Sequence, residues 1–238
     1  LPRLFESRAR AAHVAAGATH LGSKAARLQS ARPAARGRVL RGWLRIAFAL
    51  NPRRARLRER LAGRLHRTDD DPGLIWAAVA LVLTPDPDSI LLIRRAERPG
   101  DPWSGHMALP GGRQESGDAD LVATAIREIR EEVGVGLSRT DLAGRLEDVV
   151  PRTPVLPPIA VRPFVFLPPT RPTLVLNHEV AAHRWVTLED LMSPGAHHPV
   201  RLEVGGQSRE VDAYEVEDAI VWGMTERILT DLLEQLRD

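Results

Sequence analysis

The nine residues REIREEVGV, from Arg127 to Val135, hold Glu128, Glu131 and Glu132 beside Arg127, a short way downstream of the pair Gly111 and Gly112. One helical step is about 100°, so carboxylates spaced i, i+3, i+4 share a face, with Val122, Ile126, Ile129 and Val133 roughly opposite. Like charges at that spacing repel by about 0.2–0.5 kcal/mol per pair, a cost that a divalent cation would relieve. Ligands that are all oxygen suit Mg2+ or Mn2+, which retain waters and bridge to phosphate oxygens. The competing reading of REIREE alone is a solvated acidic face partly offset by Arg127 and Arg130. The PGG turn favours the cation, because glycine lets backbone approach a ligand closely and turn a carbonyl toward it.

Those residues need a frame. IWAAVALVL and ILLIRR, joined by TPDPDS, predict two strands at the start of a sheet. A helix is expected from Ala119 to Val133. LAGRLEDVV and IAVRPFVFL look like strands in a proline-rich region, where proline should confine them to edges. AAHRWVTLEDL suits a strand leading into a short helix, and VRLEVGGQSREV a hairpin around Gly205 and Gly206. EDAIVWGMTERILTDLLEQL reads as a closing helix with apolar positions 221, 224, 228, 232 and 236. Strands before and after two helices imply a mixed sheet held between them.

The 238 residues can bury a sizeable core, and no apolar run reaches the roughly 18–20 residues of a membrane span. The absence of cysteine excludes disulfides and thiolate metal sites. Residues 1–67 hold 17 Lys and Arg against Glu6 and Glu59, whereas the rest of the chain is acidic. This basic stretch is expected to be a poorly ordered or loosely helical extension; a transit peptide, a nucleic-acid arm and a translated upstream region share its composition. Near 52–66, Leu57, Leu61 and Leu65 recur at helical spacing behind Pro52, predicting a short amphipathic helix packed on the domain that occupies 68–238.

From Gly112 onward the chain resembles the Nudix hydrolases, whose signature is Gly, five residues, Glu, seven residues, then Arg-Glu-apolar-any-Glu-Glu-any-Gly-apolar. Arg127 to Val135 completes the second half. In the first half Asp118 replaces the Glu, and eight residues separate it from Arg127; this departure is similar to the coenzyme A pyrophosphatase branch. LLIRRAERPGDPWSGHMALPGG, EVAAHRW and VWGMTERIL resemble further stretches of that branch, although Ile93 replaces a usual Thr and the second Arg of the upstream motif has only the displaced Arg98 as counterpart. The resemblance implies an α/β (α+β) Nudix fold, a mixed curved sheet sandwiched between helices, behind the basic, partly helical extension.

It also implies roles. Glu128 and Glu132 become metal ligands, Glu131 a further ligand or a partner of metal-bound water, and the Gly111 carbonyl a backbone ligand. Arg127 holds a glutamate in place through a charge-assisted pair. The base that deprotonates water is one of the signature glutamates or Glu179. Arg95, then Arg98, are the expected phosphate contacts, and Gly112 allows close approach. His106 either contacts phosphate or makes a structural hydrogen bond. Trp103 and Trp222 either pack or stack on adenine, and His197 with His198 read as a polar loop. The expected activity is Mg2+- or Mn2+-dependent hydrolysis of coenzyme A or acyl-coenzyme A to 3′,5′-ADP and (acyl-)4′-phosphopantetheine. ADP-ribose, dinucleotides or nucleoside triphosphates are alternative substrates, and nucleic-acid binding through the basic N-terminus is an alternative class. A small coenzyme A-like nucleotide is the expected partner, without membrane, with a homodimer left open. The expected compartment is the cytoplasm, or the mitochondrion after presequence cleavage.

Overall fold

The computed structural model describes residues 51–66, 71–99, 103–151, 158–204 and 206–237. The expectation for the first fifty residues lies outside them. Helix α1 (Pro52–Ala62) has Pro52 in its first turn and Asn51 as its cap, whose side chain accepts the Arg54 N–H at 3.2 Å. A 3-10 turn (Gly63–His66) follows. Leu57 and Leu61 are both 0% exposed, so α1 is part of the core.

Strand β1 (Ile75–Thr84) organises the main sheet. Along one edge it pairs in parallel with β6 (Ile159–Phe166), from Ile75↔Ile159 to Val82↔Phe166. Its other edge is shared: β2 (Ser89–Arg95) takes the far end as a hairpin, and β4 (Gly111–Arg113) takes the near end through Val79↔Gly111 and Ala78↔Gly112. β2 also pairs with β3 (Met107–Ala108) and β7 (Val180–Thr187), while β5 (Leu142–Arg145) pairs with β6. Alternation along β1 divides the core. Ala78, Ala80 and Val82 face helix α2 (Leu121–Val133); Ala77, Leu81 and Leu83 face α1 and the closing helix α4 (Met224–Leu236). The expected mixed sheet between helices is therefore present. A short helix α3 (Leu188–Met192) follows β7, and a separate antiparallel sheet, β8 (His197–Val204), β9 (Gln207–Val216) and β10 (Ala219–Trp222), leads into α4.

Three expectations change. Pro163 is interior to β6, which lies between β1 and β5 and is not an edge. Its carbonyl accepts the Leu146 N–H at 3.0 Å, so its missing donor also lies on the β5 side, where paired residues have already ended at Arg145↔Phe164. Val221 belongs to β10, because Gly223 at φ 73° breaks the chain between that strand and α4. His197 and His198 begin β8 and are not a loop.

Candidate active site

Helix α2 starts on Asp120, whose side chain accepts the Ala123 N–H at 2.8 Å, and ends on Gly134, whose left-handed φ of 71° lets its N–H reach the Arg130 carbonyl. Strand β4 crosses the helix face that bears Glu128 and Glu132. Gly111 donates its N–H to Glu132 Oε2 at 2.9 Å. A Cβ on Gly111 would lie 2.6 Å from Val79 Cα, and one on Gly112 would lie 2.6 Å from the Glu128 carboxyl carbon. Backbone packing against β1 thus requires a glycine at 111, while at 112 the missing Cβ leaves room for the end of the Glu128 side chain.

The three carboxylates expected to share a helix face differ in exposure. Glu132 is 4% exposed, Glu128 is largely covered, and only Glu131, with its side chain 50% exposed, points to solvent. The i, i+4 pair faces β4, while the residue between them in the pattern is turned aside. Burial pushes the Glu132 carboxyl up to about 8; the Gly111 N–H opposes this, the Glu128 charge adds to it, Arg95 opposes and Glu179 adds. Burial also raises Glu128, against the pull of Arg127.

Arg127 organises the open side. Its Nε and Nη2 each donate to Asp118 at 3.0 Å, Nη1 donates to Glu128 at 2.8 Å and Glu131 at 3.1 Å, and Nη2 also reaches the Arg113 carbonyl at 3.0 Å. The guanidinium fork suits this many planar acceptors. Asp118 additionally accepts from Glu115 N–H and Thr124 Oγ1, and Arg127 first, then these bonds, hold its carboxyl at about 2 against burial. The sequence marked Asp118 only by its spacing. Its bonds make it the anchor of Arg127.

Among the described residues no three acidic or histidine side chains converge into a cation-sized group, because Glu128 and Glu131 are turned onto Arg127. The donor chemistry nonetheless fits a hard divalent cation. Glu128 and Glu132 are two covered carboxylates whose pKa values are raised by burial despite the Arg127 and Arg95 charges, and with no Cβ at Gly112 to crowd Glu128 they form an all-oxygen donor set.

The other predicted residues divide into two groups. The charges of Arg95 and Glu179 both act on Glu132, Arg95 lowering and Glu179 raising its carboxyl pKa. Arg98 donates to Glu179 Oε1 at 2.6 Å, so it is committed to that carboxylate. Asn177, which sequence reasoning missed, donates its backbone N–H to the Glu132 carbonyl at 2.9 Å. His106 and Trp222 meet edge to face at 5.0 Å and line a separate cavity of about 270 Å³ together with Arg94 and His183, without any signature carboxylate. Trp103 is exposed in the preceding loop, its carbonyl accepting the His106 N–H at 3.2 Å. His197 contacts Glu226 at 2.8 Å and stacks on Tyr214 at 4.5 Å, a packing role, while His198 pairs with Glu215 at 3.2 Å.

Comparison with known proteins bears on family and fold. The NUDIX domain family matches residues 74–204. An uncharacterized Nudix hydrolase, NudL, of Salmonella paratyphi B is 32% identical over 161 residues, covering 67% of this chain and 82% of that protein. An uncharacterized protein of Schizosaccharomyces pombe is 36% identical over 119 residues, 48% of this chain; the match spans only 36% of that longer protein. The MutT/nudix family protein from Enterococcus faecalis superposes with a TM-score of 0.51 at 17% identity, covering 72% of this chain and 65% of that one, a likeness of fold.

Proposed function

The chain belongs to the Nudix hydrolase family, and from that premise we propose that it hydrolyses coenzyme A or an acyl derivative to 3′,5′-ADP and (acyl-)4′-phosphopantetheine, with Mg2+ or Mn2+ as cofactor. The observation that carries the hydrolase reading is the row Glu128–Glu132 pressed against Gly111 and Gly112, with Glu132 covered and bonded to backbone. Asp118 supports the coenzyme A branch: with eight residues between them it still makes two hydrogen bonds to Arg127, so the longer spacing keeps the anchor.

In this reading Glu128, Glu132 and the Gly111 carbonyl hold the cation, with Glu131 as a further ligand or a partner of its water. A cation bound there would supply charge to neutralise the diphosphate and to acidify a water. Arg127, fixed by Asp118, holds Glu128 and Glu131 in place. Arg95 meets the phosphate charge. Glu179, next to Arg98, accepts a proton from the attacking water; the water oxygen bonds to one phosphorus of the diphosphate, the bridging P–O bond to that phosphorus breaks, and each product keeps one of the two diphosphate phosphorus atoms, the 3′-phosphate staying on the adenosine product. Covering Glu132 lowers the local dielectric, which strengthens these charge interactions.

The test is a substrate panel of coenzyme A, ADP-ribose, NADH, diadenosine polyphosphates and nucleoside triphosphates, assayed with Mg2+ and with Mn2+ by the phosphate-bearing products. The highest kcat/KM is expected for coenzyme A, with 3′,5′-ADP released. A dominant kcat/KM for ADP-ribose overturns the substrate while leaving the chemistry in place.

A further inference from the structure

The connection between β6 and β7 runs along the C-terminal turn of α2. Val175 N–H donates to the Val133 carbonyl and Asn177 N–H to the Glu132 carbonyl, both at 2.9 Å. These are two of the carbonyls that a helix leaves without an internal partner at its end. Gly134 and Val135 serve the Arg130 and Ile129 carbonyls, so the β6–β7 connection takes the next ones. Gly134 also makes room for it: a Cβ there would lie 3.0 Å from Val175 Cβ.

Asn177 does a second thing with its side chain. Its Oδ1 accepts the Glu179 N–H at 2.8 Å, closing a turn of the kind Asn makes with the residue two positions on. Glu179 is then held at two further points. Its carbonyl accepts the Ala96 N–H at 2.8 Å, and its carboxylate accepts from Arg98 Nη2 at 2.6 Å. One residue therefore touches Glu132 through its backbone and Glu179 through its side chain, joining the helix of the signature to the start of β7.

A base must stand within hydrogen-bond reach of the water it deprotonates, and misplacement by an ångström costs large factors in rate. Glu179 lies on a connection outside helix and strand, where backbone position depends on such bonds. We propose that Asn177 is a positioning residue that sets the Glu179 carboxylate relative to Glu132, with Arg98 completing the hold. This rests on the reading of Glu179 as the base. It also gives Arg98 a task within the protein in place of a phosphate contact.

The test is a double-mutant cycle on whichever panel substrate is turned over best, so that a wrong substrate does not bear on it. Asn177→Ala is expected to lower kcat about five- to tenfold with KM changed less than about twofold, the size of one hydrogen bond. Asn177→Ser, which closes the same turn more weakly, should recover to within about threefold of the parent. Glu179→Gln should lower kcat about a hundredfold or more, and adding Asn177→Ala to it should cost nothing further. Additive losses, or a loss that Ser leaves unrepaired, overturn the proposal. Undiminished kcat in Glu179→Gln removes the base itself, an outcome visible without any change at Asn177. A measurement independent of turnover is amide hydrogen exchange at Glu179: about tenfold faster in Asn177→Ala than in the parent is expected, and equal rates contradict the bridge.

Discussion

Asp118 and Arg127 are joined by two parallel hydrogen bonds of 3.0 Å, and through them the segment after β4 holds the guanidinium that orders Glu128 and Glu131. The Asp118 carboxyl titrates at about 2, below its ordinary 3.8. Its contribution to stability is therefore fully present above about pH 4 and is lost as pH falls toward 2. Asp118→Asn should melt at lower temperature than the parent at pH 5, with the difference shrinking between pH 4 and 2. A gap that stays constant across that range contradicts the ion-pair account.

The two glycines should fail differently. Gly111→Ala forces a Cβ onto β1 backbone, at a φ of 155°, and is expected to cost about 2–4 kcal/mol of stability. Gly112→Ala meets the Glu128 carboxylate, a side-chain end that can swing away. It should remain folded while binding Mn2+ about tenfold more weakly, close to the energy of one lost charge-assisted contact. Denaturant titration and Mn2+ binding by calorimetry separate the two, and equal stability of both variants sinks the distinction.

Glu132 supplies a pH dependence of the opposite sign to Asp118. Its folded pKa of about 8 lies above its ordinary 4.5, so the folded, cation-free protein binds an extra proton between those values. Stability from this group is complete below about pH 4.5 and is lost as pH rises through 8. A divalent cation must displace that proton, so Mn2+ affinity should rise toward pH 8 with about one proton released per ion at pH 7. Calorimetry in buffers of different ionisation enthalpy counts the proton. Binding with no proton release in the parent, or the same release in Glu132→Gln, argues against it.

Much of this centre could be read from residue types and spacing. Glu128 and Glu132 declare themselves as an i, i+4 pair behind a glycine turn, and Arg127 declares itself as their neighbour. That Glu132 is covered could not be read, because it depends on β4 pairing with Ala78 and Val79, more than thirty residues upstream. Asn177 was invisible for another reason: its contact with Glu132 is between backbone atoms, which carry no residue-type signal. Val221 was misread because AIVW fits an apolar helical row as well as a short strand, and only the conformation of Gly223 separates them.

Helix α1 offers a test of what the end of the basic N-terminal stretch does for the fold. Leu61 is fully buried, and its backbone lies so close to Gly144 of β5 that a Cβ there would be 2.9 Å from the Leu61 carbonyl carbon. Leu61→Ala should cost about 2–5 kcal/mol, a large share of a domain's net stability. If unfolding by urea shows less than about 0.5 kcal/mol lost, within the range of a surface substitution, α1 is an appendage and not part of the core.

Under β4, Glu132 is the proposed ligand carboxylate. Glu132→Gln keeps the shape and an acceptor for the Gly111 N–H while removing the charge. Hydrolysis of the best panel substrate at saturating Mg2+ should fall by about a thousandfold, the scale seen when one preorganised electrostatic group is removed from an active site, with the thermal melt at or above that of the parent. Turnover equal to the parent under those conditions contradicts the proposed centre.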